Sequence, residues 1–334
     1  MNPGPPERRG SRIPERIFHT EASVFRENFN RRAFDFSHAL GDHPLFDLDR
    51  LAELAKTLWG TGSGRVACQV GSFGRTDRLD ERPTKPLSIV QAISRIRESG
   101  SWVLLKSAQV DPDYAALLDR CLAELEALSG RALRREISWL DAYIFIASPG
   151  SLTPYHIDHE CNFVLQIHGT KRDTLYDPSV LTAEDIERYY MGDLSGARWR
   201  QDCEENARTH VLTPGLGVHH PSRWPHWVQN GSDDYTVMLS VLFFLRGDDR
   251  EARVWQMNHV LRRMGRMPMP PGQSAWRDRI KRLALARFPP ARVFANKSDV
   301  IRNGVGRLET LERVLLRRPT VPPPGTPNAR SQED

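Results

Sequence analysis

Cysteine is scarce in this 334-residue chain, and Cys68, Cys121, Cys161 and Cys203 stand far apart with no C-x-x-C pair. Neither a disulfide framework nor a zinc knuckle is suggested, so the four are expected to be reduced, packed thiols. Long apolar runs are missing too. The longest, Val237 to Leu245 with Ser240 inside it, is about half of what a membrane-spanning helix needs. The opening residues, MNPGPPERRGSRIPER, hold no apolar stretch of the kind a secretory signal requires. A cytoplasmic protein without a membrane span is therefore expected. No repeat is visible, and collagen-like, coiled-coil and wholly disordered classes are excluded by 39% hydrophobic and 27% charged residues with eight tryptophans.

The net charge of +5 conceals an asymmetry. Residues 250–318 carry 17 Lys and Arg against 5 acids, which leaves the preceding residues net acidic. A basic rear of this kind can meet nucleic acid or an acidic partner, although most charge runs are solvated helix faces.

Residues 1–15 and the Pro-rich 319–334 are too poor in apolar residues to bury a core and read as flexible tails. Residues 16–136 read as a mixed α/β flank. Leu48, Leu51, Leu54, Ala55 and Leu58 follow helical spacing, with Gly60 placed to end the run, and the pattern returns over Leu87 to Arg97 and Pro112 to Leu128. Trp102 to Lys106 between them reads as a strand. From Ile137 the chain becomes short β-rich pieces divided by Pro, Gly and Asn: 141–147, 153–158, 163–167, 171–176, 218–220, 226–229 and 236–245. A short helix over Ala183 to Tyr190 interrupts them. Such punctuation predicts an all-β core of sandwich or jelly-roll type over 137–248. Residues 249–318 predict an α-helical extension, with helices over Trp255 to Met264, Ala275 to Phe288 and Val305 to Leu316.

The chemistry centres on Thr153-Pro-Tyr-His156-Ile-Asp158. Along a strand, residues i and i+2 share a face, so an imidazole and a carboxylate stand together. Two histidines and one carboxylate make the facial triad of non-haem Fe(II) oxygenases. His226, opening the piece before Asn230-Gly231, is the candidate second histidine. His159, His168, His210, His219 and His220 compete for that place, and a bare H-x-D carries a high false-positive risk.

The stretch from Ile144 through Thr153, His156, Asp158, Asn162 and Gly169 to Lys171-Arg resembles the JmjC (jumonji-type) oxygenases, and within them the cupin-like asparaginyl protein hydroxylases. The resemblance covers about residues 137–246. It implies a double-stranded β-helix of the jelly-roll or cupin type, with His156, Asp158 and His226 holding Fe(II). It also implies that Thr153 and Lys171 hold the distal carboxylate of 2-oxoglutarate and that Asn162 lies near the co-substrate. Tyr143, on a neighbouring strand, is a further candidate for the pocket wall. His219-His220 departs from the family, which more often has apolar residues there. The activity implied is dioxygen-dependent hydroxylation of a protein side chain or small molecule with release of succinate and CO2, demethylation being a further use of the same chemistry. A homodimer through the C-terminal helices is a further implication. The rival reading is a non-enzymatic cupin-like binding or regulatory protein, associated with nucleic acid through its basic rear.

Overall fold

The computed structural model describes residues 12–60, 65–71, 73–78 and 88–287. The helix expected over 305–316, the Pro-rich end and the basic segment beyond residue 287 lie outside them. Among the described residues, those up to 189 together with 193–250 form one compact unit, and 190–192 with those from 251 onward form a second.

The first unit begins with β1 (Phe18–His19), α1 (Ala22–Asn28) and β2 (Phe34–His38), followed by α2 (Leu48–Gly60), β3 (Val66–Val70), α3 (Ile89–Ser94) and β4 (Ser101–Leu105). Helix α4 (Pro112–Ser129) starts where the Asp111 carboxylate accepts from the Asp113 amide with Pro112 at the first helical position. It stops at Gly130, whose φ of 67° a side chain would resist. After α5 (Leu133–Glu136) come β5 (Ile137–Ala147), β6 (Leu152–His156), β7 (Cys161–His168) and β8 (Lys171–Tyr176). Helix α6 (Ala183–Tyr190) precedes β9 (Ala207–Leu212), β10 (Leu216–His220), β11 (His226–Asn230) and β12 (Thr236–Leu245).

These strands form two antiparallel sheets. One has eight strands in the order β1-β2-β10-β7-β12-β5-β4-β3, the other four in the order β6-β11-β8-β9. The large sheet is covered on both faces. Val237, Leu239, Val241 and Phe243 of β12 enter the main core beside Leu51 and Leu54 of α2 and Leu117 of α4. From the other face, Val164, Val218 and Met238 pack with Leu175 and Leu212 of the small sheet, so the two sheets face each other. Burial on both sides is why β12 reads as a nearly continuous apolar run without alternation.

Several expectations need correction. Strands β1, β2, β3 and β9 lie where no strand is expected, though Phe34-Asp-Phe-Ser-His38 alternates buried and exposed as an edge-region strand does. The piece expected over 153–158 ends at His156. Asp158 is placed by a turn contact instead, its carbonyl accepting the Arg223 amide at 2.7 Å. The helix expected from Trp255 begins at Arg246, because Asp248 and Asp249 suit the positive N-terminal end of a helix rather than a loop.

Helix α7 (Arg246–Arg263) leads into the second unit, where α8 (Ala275–Ala286) follows. Met257, Val260 and Leu285 form that unit's small core, with Met191 packed against it. Asn258 and Lys281 both donate to the Met269 carbonyl, at 3.0 Å each, and so hold the Pro-rich connection between the two helices. Among the described residues no helix is long and apolar enough to cross a membrane.

Candidate metal centre

His156 and His226 face each other directly across the β6–β11 pair. Their ring centroids are 4.2 Å apart. Asp158 completes a cluster whose ligand atoms all lie within 4.8 Å of one another and can hold a metal ion. One Asp158 oxygen stands 3.5 Å from Nε2 of His156 and 3.9 Å from Nε2 of His226.

The protonation pattern follows from the partners on the far side of each ring. Nδ1 of His156 donates to the Pro154 carbonyl at 2.7 Å, and Nδ1 of His226 donates to the Trp224 carbonyl at 3.0 Å. A carbonyl oxygen only accepts, so each Nδ1 carries the proton and each Nε2 turns a lone pair toward Asp158. Burial, reinforced by the neighbouring His156 and His220, lowers the His226 pKa to about 3 and keeps that ring neutral.

Thr153 reaches this face through an irregularity. His226 pairs with His156 while Val228 pairs with Thr153, so three steps on β6 match two on β11. The extra residue is a β-bulge, which resets the alternation. Thr153 thus joins His156 on the inner face despite their odd spacing. Strand alternation alone would have put it outside.

On β8, Lys171, Asp173 and Leu175 pair with Asn230, Val228 and His226 and share the inner face. Lys171 is buried, and its Nζ lies 3.0 Å from the Met238 sulfur, a weak acceptor. Among the described residues no carboxylate lies within ion-pair distance of it. Burial lowers its pKa to about 8, with nearby Asp173 pulling in the opposite direction. Asp173 is instead held by His220, with Oδ2 to Nε2 at 3.0 Å. Burial alone would raise the Asp173 pKa, but its contact with His220 and the charge of nearby Lys171 bring it down to about 2. His220 also packs edge-on against His226, with centroids 4.6 Å apart. Sequence reasoning assigns no role to this His220–Asp173 pair. An acidic residue two places beyond a buried lysine was the available signal.

Asn162 donates to the Ser240 hydroxyl at 3.3 Å, and its buried Oδ1 has no hydrogen-bond partner among the described residues. Tyr143 pairs with Ser240 across β5 and β12, hence on the same face as Ser240 and Asn162. It packs among Leu104, Leu242 and the Trp139 and Phe145 rings.

The competing histidines have other work. His219 donates from Nδ1 to the Asn162 carbonyl and accepts the Asn30 amide at Nε2, both at 3.0 Å, while stacking on Phe163. His159 pairs with Asp249, His168 with Asp42 and Asp234, and His210 with Asp35. Cys121, Cys161 and Cys203 are buried, and Cys68 is partly so.

No protein-family model matches the chain, and no curated protein matches its sequence. Solved structures similar to it include a ribosomal oxygenase, YcfD, from Escherichia coli, at 16% identity and a TM-score of 0.46, covering 92% of this chain and 69% of that one. Its complex with cobalt and 2-oxoglutarate has the same identity and TM-score, with 91% and 69% coverage. Its complex with cobalt and succinic acid stands at 14% identity and a TM-score of 0.45, covering 91% of this chain and 69% of that one.

Proposed function

We propose that the chain is an Fe(II)- and 2-oxoglutarate-dependent oxygenase of the JmjC type, built on a double-stranded β-helix over about residues 137–248, that hydroxylates a protein side chain. The observation that carries this reading is the convergence of two Nε2 lone pairs and the Asp158 carboxylate beside a buried lysine with no carboxylate partner among the described residues.

The donor set suits Fe(II). Two imidazoles and one carboxylate leave coordination positions open for a chelating acid and dioxygen. His156, Asp158 and His226 would hold the metal, and Lys171 with Thr153 would hold the far carboxylate of 2-oxoglutarate. Bound together, iron and 2-oxoglutarate activate dioxygen for insertion into a C–H bond, with succinate and CO2 as by-products.

The chain's residues supply orientation. The Pro154 and Trp224 carbonyls fix both ring tautomers, so the ligand nitrogens face the metal position without rearrangement. Lys171 offers an ammonium in a dry setting, where a charge-assisted bond to a carboxylate is about twice as strong as a neutral one. The His220 pair occupies Asp173, which would otherwise repel an incoming anion two residues from Lys171. Asn162 offers an unengaged amide oxygen on the same inner face, and Tyr143 contributes to the wall. A protein substrate, with asparagine as the first residue to try, rests on the sequence resemblance.

The test is iron-dependent release of succinate from 2-oxoglutarate under air, with and without candidate peptides. The expected result is turnover by the wild type and none by His156→Ala. Full turnover by His156→Ala would refute the assignment.

A further inference from the structure

The first unit holds a second concave site, unrelated in its residues to the metal centre. A pocket of about 450 Å³ opens between the end of α1, α5 and the start of α7. Five arginines line it: Arg31, Arg131, Arg135, Arg246 and Arg250. No lysine does.

The two acids in the lining are already engaged. Glu136 pairs with Arg131, whose guanidinium also lies over the Phe29 ring at 5.4 Å. Asp248 accepts from Asn30 at 3.1 Å and from Ser222 at 2.8 Å, with Arg223 at 3.8 Å. Arg246 donates to the Arg135 backbone carbonyl, which fixes the pocket's rim. Among the described residues the guanidinium groups of Arg31, Arg135 and Arg250 have no side-chain partner. Like charges gathered in one concavity repel each other and raise its affinity for anions.

We propose that this pocket binds the phosphate groups of a compact polyanion. Guanidinium forks pair two donors with two oxygens of one oxyanion, and the exclusive use of arginine fits that mode of recognition. The volume lies in the range of small-ligand sites, about 300–1,000 Å³. A free polyphosphate and the backbone of a nucleic-acid strand present the same chemistry, and the experiment separates them. The site does not depend on the proposed oxygenase activity.

The full-length protein is titrated with pyrophosphate by calorimetry and with a short fluorescein-labelled single-stranded RNA by anisotropy, both at low salt. The variants are Arg31→Ala/Arg135→Ala and, as a control elsewhere, Arg172→Ala/Arg279→Ala. The pocket residues replaced are exposed and the Arg135 carbonyl is retained, so equal thermal midpoints are expected for all three proteins. Removing two charge-assisted hydrogen-bonding groups should weaken binding by about tenfold or more in the pocket variant alone. Pyrophosphate binding identifies a free polyphosphate site. RNA binding without pyrophosphate binding identifies a strand, and the salt slope should then fall by about 0.7 for each phosphate no longer neutralised. The proposal is overturned if neither probe binds wild type, if both variants weaken binding equally, or if only an acidic peptide competes for the site.

Discussion

At the residue scale, the candidate metal centre is ordered by what lies behind its side chains. The His156 and His226 Nδ1 protons are committed to backbone carbonyls, and burial holds His226 neutral. Replacing Lys171 by Ala should raise the 2-oxoglutarate concentration needed for half-saturation by at least tenfold, since a hydrogen bond to a charged group contributes about 1.5–3 kcal/mol. Metal affinity, read by anaerobic iron titration, should change little. The buried histidines also set a pH dependence. Burial lowers the pKa of His38 to about 4 and of His219 to about 3, from the ordinary 6.5. The unfolded chain therefore takes up protons below pH 6.5 that the folded one refuses. Stability is fully present above that pH and falls as pH drops toward 4, by about 1.4 kcal/mol per pH unit for each group. Urea midpoints measured from pH 7 to 5 should decline, and His219→Gln should make the decline shallower. A flat profile would contradict the neutral assignment. At this scale the sequence was most legible for His156, Asp158, Lys171 and His226, whose types and offsets follow a pattern. The ring-orienting hydrogen bonds were not legible, because backbone carbonyls leave no mark in composition or spacing.

At the element scale, the site depends on two local departures from regular strand geometry. The bulge in β6 brings Thr153 onto the His156 face, and Gly169 turns β7 into β8 so that Lys171 begins the next strand facing inward. Gly169 has φ 72°, and a Cβ there would stand 2.3 Å from the Tyr235 carbonyl oxygen. The substitution Gly169→Ala should therefore destabilise the protein by about 1–3 kcal/mol from left-handed strain alone, with the clash adding to it. Chemical denaturation checks this. An unchanged midpoint would show that the turn relaxes freely. The long elements were legible where a single periodicity held throughout, as in α4 and β12. Strand β2 was not, because five residues show too little alternation to separate them from a loop. The start of α7 was not either, because its polar first turn resembles a linker until its helical register is seen.

At the scale of the whole molecule, the mixed flank is part of the large sheet, which faces the small sheet carrying the candidate metal centre. Strand β2 pairs with β10 along Leu216 to His219, next to His220, while β4 extends the same sheet at the other side through β5. Removing residues 1–40 should uncover the β10 edge and Phe163 beneath it, giving an aggregating protein. Size-exclusion chromatography of that truncation checks the point, and a stable, iron-binding monomer would count against it. An all-β core with a mixed front could be read from the chain. The eight-and-four division of strands could not, since it rests on long-range pairing between segments that look alike. The central claim is that these paired sheets hold iron and 2-oxoglutarate together, and anaerobic titration of the iron-loaded protein with 2-oxoglutarate tests it most directly. A metal-to-ligand charge-transfer band should grow in wild type, need at least tenfold more 2-oxoglutarate in Lys171→Ala, and be absent in His226→Ala. No band in iron-loaded wild type at saturating 2-oxoglutarate would contradict the account and leave the fold as a binding scaffold.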